Sequence, residues 1–95
     1  MLTLPIKSSW YHMILAGIKR EEYRDDTHYY GARFERYEGQ RITIKLRNGY
    51  SSTSPTAICE VTPIRRASGH NPEWGGDPSK HYWVLIIHSA HEIRG

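Results

Sequence analysis

Leu2, Leu4 and Ile6 alternate with polar or neutral neighbours, the period-two pattern of a half-buried strand. Pro5 within it lacks an N–H and so places that strand at a sheet edge. Ser8 or Ser9 is positioned to cap a helix over residues 10–16, where Trp10, Met13, Ile14 and Gly17 fall three and four apart and predict one buried face. Gly17 is its expected stop. "REEYR" then reads as extended, with Glu22 and Arg24 on one side and Glu21 and Tyr23 on the other. "THYYGARFERYEG" shows no clean period and reads as a loop with room for one helical turn.

Ile42, Ile44 and Leu46 alternate with Thr43, Lys45 and Arg47 in the clearest strand of the chain, which stops at the turn pair Asn48-Gly49. After the polar "SSTSPT", the run "AICEVTPI" predicts a strand that reaches Pro63. Residues 68–80 hold three Gly and two Pro, so this stretch reads as a loop, with Glu73 and Trp74 at its middle. "HYWVLIIH" is a continuous β-branched strand that closes the core, and a last strand is expected over residues 92–94. The predicted order is β-α-β-loop-β-β-loop-β. A single α+β domain over residues 1–95 would bury this pattern as a small barrel of five to six mostly antiparallel strands with short flanking helices.

A chain of 95 residues has one small core, so function must sit on a few loops and one face. Lys and Arg number 13 against 10 Asp and Glu, and nine of the 13 are Arg, the side chain whose planar fork suits phosphate. Seven Tyr and three Trp against one Phe favour rings with a polar edge, most of them expected in the core. Cys59 is the only cysteine, which excludes an internal disulfide and leaves a structural thiol in a strand. No stretch reaches the ~18 apolar residues of a membrane helix, and the opening lacks a signal-peptide pattern. The expectation is a soluble cytoplasmic protein with no membrane partner, its oligomeric state open with a monomer favoured.

The stretch "GIKREEYR" brings Lys19, Glu22 and Arg24 to one rim, where Arg24 would lower the pKa of the Lys19 amine and a carboxylate could accept a proton. Read instead as a solvated charge run, its exposed pairs would contribute only ~0–1 kcal/mol each. In "NPEWGG", Trp74 is either a lid on the core or a platform for a flat ligand, and Glu73 either a solvated carboxylate or a working acid or base. His88 and His91 lack zinc-like spacing, so no metal is expected. Cys59 lies beside Glu60, which disfavours the thiolate. Neither a glycine-rich phosphate loop nor a serine elbow is present, and no cofactor is expected.

The opening "LPIKSSWYHMILAGIKREEYR" resembles that of the ASCH domain family, of the PUA-like superfamily, with its G-x-K-x-x-E-x-R signature at Gly17, Lys19, Glu22 and Arg24. "PEWG" at Pro72, Glu73, Trp74 and Gly75, ahead of "HYWVLII", matches a second pattern of small ASCH proteins. Residues 26–41 carry no motif to align. The resemblance implies a PUA-like barrel with a cleft on its helical side, holding RNA or a modified nucleotide. Some ASCH-like proteins are amidohydrolases on acylated cytidine that use a Lys, a Thr and a Glu. Lys19 falls on the Lys position, Glu73 is a counterpart for the Glu, and Glu22 stands where the Thr would be, so a carboxylate would activate water instead. Others are ribonucleases, for which a Lys and a Tyr near a phosphate suffice.

Three readings follow. In the first, a binding module sets Lys19 and Arg24 on phosphate, stacks Trp74 on a base, adds Tyr23 and Trp10 as ligand-facing rings, and uses Glu22 or Glu73 to accept from a base amino group. In the second, a hydrolase in the same cleft, a nucleoside amidohydrolase or ribonuclease, uses Lys19, Glu22 and Glu73. In the third, Lys19, Glu22 and Arg24 form a purely structural ion network and the partner is a protein.

Overall fold

In the computed structural model, which describes residues 1–93, five strands and two α-helices follow one another along the chain. They are β1 (Thr3–Ile6), α1 (Ser8–Leu15), β2 (Glu21–Asp25), α2 (His28–Phe34), β3 (Ile42–Asn48), β4 (Thr56–Arg66) and β5 (Tyr82–Ile93). Two 3₁₀ turns, Glu35–Tyr37 and Pro72–Trp74, complete the set. The strands form one mixed sheet in the order β1-β3-β4-β5-β2, parallel at β1–β3 and antiparallel elsewhere. The sheet curls into a half-barrel, giving a small α+β architecture with five strands. Its two edges share no ladder.

The core lies inside the curl, with Leu4 and Ile6 of β1 and Tyr11 and Ile14 of α1 packed on Ile44, Leu46, Val61, Trp83 and Leu85. As Pro5 predicts, β1 is an edge strand. Helix α1 begins earlier than expected. Ser8 and Ser9 lie inside its first turn, and Lys7, extended at φ −64° and ψ 144°, is the cap residue without a side-chain cap bond. Only Lys7 separates β1 from the helix, so the serines have no room to stand ahead of it. The buried face also differs, since Tyr11 and Ile14 are buried whereas Gly17 is exposed.

Residues 26–41 hold more order than their sequence predicts. Thr27 caps α2 by accepting from the Tyr30 N–H at 3.3 Å, and Phe34 at the end of that helix is fully buried. Strand β4 runs past Pro63 to Arg66 instead of stopping there. Pairing with β3 ends at Ile42–Val61, and the Pro63 carbonyl accepts from the Gly39 N–H at 2.9 Å on that vacated side. Because N and C=O of one strand residue face the same way, the missing N–H costs the β4–β5 ladder nothing. The strand expected at residues 92–94 is the end of β5, and Arg94 lies outside the described residues. No helix among the described residues is long and apolar enough to cross a membrane.

Candidate functional site: a ring-lined cleft over a buried charge triad

The site is built where α1 turns into β2. Gly17 adopts φ +76°, its N–H bonds the Ile14 carbonyl at 3.1 Å, and the Ile18 N–H bonds the Met13 carbonyl at 2.9 Å, the paired bonds of a Schellman ending. This tight reversal leaves Ile18 outside and turns Lys19 inward, where it is only 1% exposed. The alternation of β2 then divides its side chains as the sequence predicts. Glu22 and Arg24 pair on one face, and on the other the Tyr23 hydroxyl donates to Glu21 Oε1 at 2.7 Å.

Lys19 Nζ lies 3.3 Å from Glu22 Oε1, and Arg24 approaches Glu22 Oε2 through Nε at 2.9 Å and Nη2 at 2.7 Å. One carboxylate therefore serves two cations. Lys19 also donates to the Trp74 carbonyl at 2.6 Å and sits 4.8 and 5.1 Å from the ring centres of Trp10 and Tyr23. Burial pulls its pKa below the ordinary value for Lys, a shift that Glu22 opposes and Arg24 reinforces. Arg24 donates further to the Pro5 carbonyl at 2.8 Å and to the Tyr30 hydroxyl at 3.2 Å, so its side chain spans the two unpaired edges, β2 and β1.

Above the triad is a cleft of about 260 Å³ lined by Trp10, Glu22, Tyr23, Arg24, Tyr30 and Tyr50, among others. Four of the sequence-predicted residues, Trp10, Glu22, Tyr23 and Arg24, are thus brought together, with Lys19 bonded to Glu22. Glu22 is 6% exposed and the Arg24 side chain 11%. By donor and acceptor count, one N–H on Arg24 Nη1 and one lone pair on Glu22 Oε1 are left without a partner among the described residues. Burial pushes the Tyr23 phenol up to about 12, aided by its bond to Glu21, so it stays a neutral donor near neutral pH.

The loop carrying Glu73 and Trp74 is clamped on this site. Asn71 donates its N–H to the Tyr23 hydroxyl at 2.8 Å, and Gly75, at φ +88°, leaves room for the Trp10 ring, which a Cβ would meet at 3.1 Å. Trp74 reaches Lys19 through its backbone carbonyl and lines a separate depression with Arg20, Arg41 and His88, not the cleft. Glu73 is exposed, and its carboxylate makes no hydrogen bond or ion pair among the described residues. Among those residues no group of three or more His, Cys, Asp or Glu converges as a metal site would. Cys59 is fully buried, and burial pushes its thiol up to about 11.

Tyr30 and Tyr50 are the lining rings that the sequence pattern does not single out. For Tyr30 the signal is Thr27 as a cap followed by the i,i+4 pair Tyr30 and Phe34, stacked at 6.1 Å. Tyr50, 89% exposed on the loop after β3, is marked by nothing more than its place after the Asn48-Gly49 turn. No protein-family model, curated protein or solved structure matches the chain.

Proposed function

We propose that this chain is a PUA-like domain of the ASCH type that binds RNA or a nucleotide, with a base entering the cleft between Trp10, Tyr23, Tyr30 and Tyr50. The observation that carries the reading is the union of ring walls with a donor–acceptor floor. Trp10, Tyr23, Tyr30 and Tyr50 line the same cleft as Glu22 and Arg24, and the remaining Arg24 N–H and Glu22 lone pair suit the edge of an amino-bearing base. At about 260 Å³ the cleft is somewhat below the ~300–1,000 Å³ of drug-sized pockets, a size for one base. The G-x-K-x-x-E-x-R resemblance supports the same reading, because its residues are the ones that build the floor and its support.

Binding is favoured over hydrolysis by the state of Lys19. Its ammonium is sealed between Glu22, the Trp74 carbonyl and two rings, so it positions the floor and the loop and does not meet substrate. Glu73 makes no hydrogen bond or ion pair with it among the described residues. The structural-network reading draws on the same saturation, and on its own it leaves the half-buried Trp10, Tyr23 and Tyr30 and the exposed Tyr50 around the cleft without a role.

The test is a thermal-shift panel with nucleoside monophosphates, N-acylated cytidine and short RNAs, followed by mass analysis of each mixture. The expected result is stabilisation with ligand mass unchanged, weakened roughly fivefold in affinity by Tyr50→Ala, since a stacked base contributes ~1–3 kcal/mol. A consumed ligand would make the protein a hydrolase. No stabilisation by any of them would leave the structural network as the role of the triad.

A further inference from the structure

On the far side of the Trp74 loop lies the depression of about 480 Å³ formed by Arg20, Glu21, Arg41, Trp74, Ile86, Ile87 and His88. Three features set it apart from ordinary surface. First, the Arg20 guanidinium is exposed and makes no hydrogen bond or ion pair among the described residues, although its neighbours Lys19 and Glu21 are both engaged. Second, the β4–β5 register slips between Glu60–Ser89 and Val61–Ile87, so His88 is the extra residue of a β-bulge. Bulges re-aim side chains, and this one sits at the edge of the depression, where His88 Nε2 lies 2.7 Å from Thr62 Oγ1. Third, Trp74 lines the depression together with Arg20 and Arg41 and the partly buried Ile86 and Ile87 of β5.

We infer that this depression is a second nucleotide subsite, in which Trp74 stacks a base while Arg20 and Arg41 hold its phosphate, so that the ligand is a single-stranded RNA segment and not a lone nucleoside. The inference rests on the cleft reading above and extends it. Only one layer of residues divides the two sites. Tyr23, a wall of the cleft, bonds Glu21 of the depression at 2.7 Å, and Lys19 beneath the cleft bonds the carbonyl of Trp74 at 2.6 Å. A strand whose base occupies the cleft would carry its next phosphate over this divide. The Arg41–Glu60 pair is exposed and exchanges readily for a phosphate. Among the described residues Glu21 is the one carboxylate that lines it. Its oxygens are committed to Tyr23 and to both terminal nitrogens of Arg66, which neutralises it towards an anion.

The experiment compares a fluorescein-labelled hexaribonucleotide of cytidine with cytidine monophosphate, on wild type, Arg20→Ala/Arg41→Ala and Trp74→Phe, across a salt series. Hexamer affinity is expected to fall roughly tenfold in the double variant, with the salt slope reduced by about 0.7 per lost phosphate contact, while monophosphate affinity stays within about twofold. Trp74→Phe keeps a ring and the loop backbone, and its loss should be smaller than that of the double variant. Unchanged hexamer affinity and slope in the double variant, with monophosphate still bound, would overturn the subsite and leave the cleft reading standing. Failure of wild type to bind either probe would overturn both.

Discussion

Glu22 balances two buried cations with a single carboxylate, and this sets the stability order expected of the triad. Glu22→Gln leaves Lys19 and Arg24 without their shared counter-charge in a largely buried site and should cost about 3–5 kcal/mol, whereas Lys19→Met leaves Glu22 its bond to Arg24 and should cost less. Urea unfolding midpoints check the order. The acid limb of stability belongs in part to Glu21. Burial alone would raise its carboxyl, but bonds from Arg66 and Tyr23 outweigh that and hold it below the ordinary 4.5. The folded state thus gives up this proton at lower pH than the unfolded chain, so the contribution is complete above about 4.5 and is lost as pH falls towards the folded value. Glu21→Gln should flatten that limb in a pH series of unfolding midpoints. Cys59, buried with its thiol pushed up to about 11, should resist a disulfide reagent at mildly alkaline pH until the protein is unfolded.

The loop of residues 68–80 behaves as an element because its contacts are specific. Gly76 packs so closely that a Cβ would stand 2.7 Å from His70 Cβ and 3.0 Å from Tyr23 Cε2. Gly76→Ala should therefore cost about 1–3 kcal/mol through overpacking. Gly17→Ala, at φ +76° but with nothing within 4 Å of the added carbon, should cost about 1–2 kcal/mol from backbone strain alone. Thermal melts should place Gly76→Ala at or below Gly17→Ala, and the reverse order would show that the loop yields. This contrast also explains what the sequence could reveal. The edge position of β1, the stop at Gly17 and the two faces of β2 were legible because each is a local rule of one residue type. Helix α2 was not, since its anchor Phe34 is its single buried residue and gives no apolar period, and the length of β4 was hidden by Pro63, whose tolerance depends on where β3 ends. Likewise Lys19, Glu22 and Arg24 could be grouped from spacing, whereas the burial of Lys19 and the separation of Trp74 from the cleft are products of tertiary packing.

At the scale of the molecule, the half-barrel is drawn together by a side chain. Arg24 ties β2 to the Pro5 carbonyl of β1 and to Tyr30 of α2, so the edges that lack a ladder meet across one guanidinium. Arg24→Met should leave the central β4–β5 amides protected in hydrogen exchange while those of β1 and β2 open sooner. The same residue forms part of the cleft floor, which makes closure of the sheet and shaping of the site a single event. Binding of a base in the cleft is tested most directly by an amide and indole chemical-shift map of ¹⁵N-labelled protein titrated with cytidine monophosphate. Saturable shifts concentrated at Trp10, Tyr23, Arg24, Tyr30 and Tyr50 are the predicted result. An absence of saturable shifts, or shifts centred elsewhere on the sheet, would contradict nucleotide binding in the cleft.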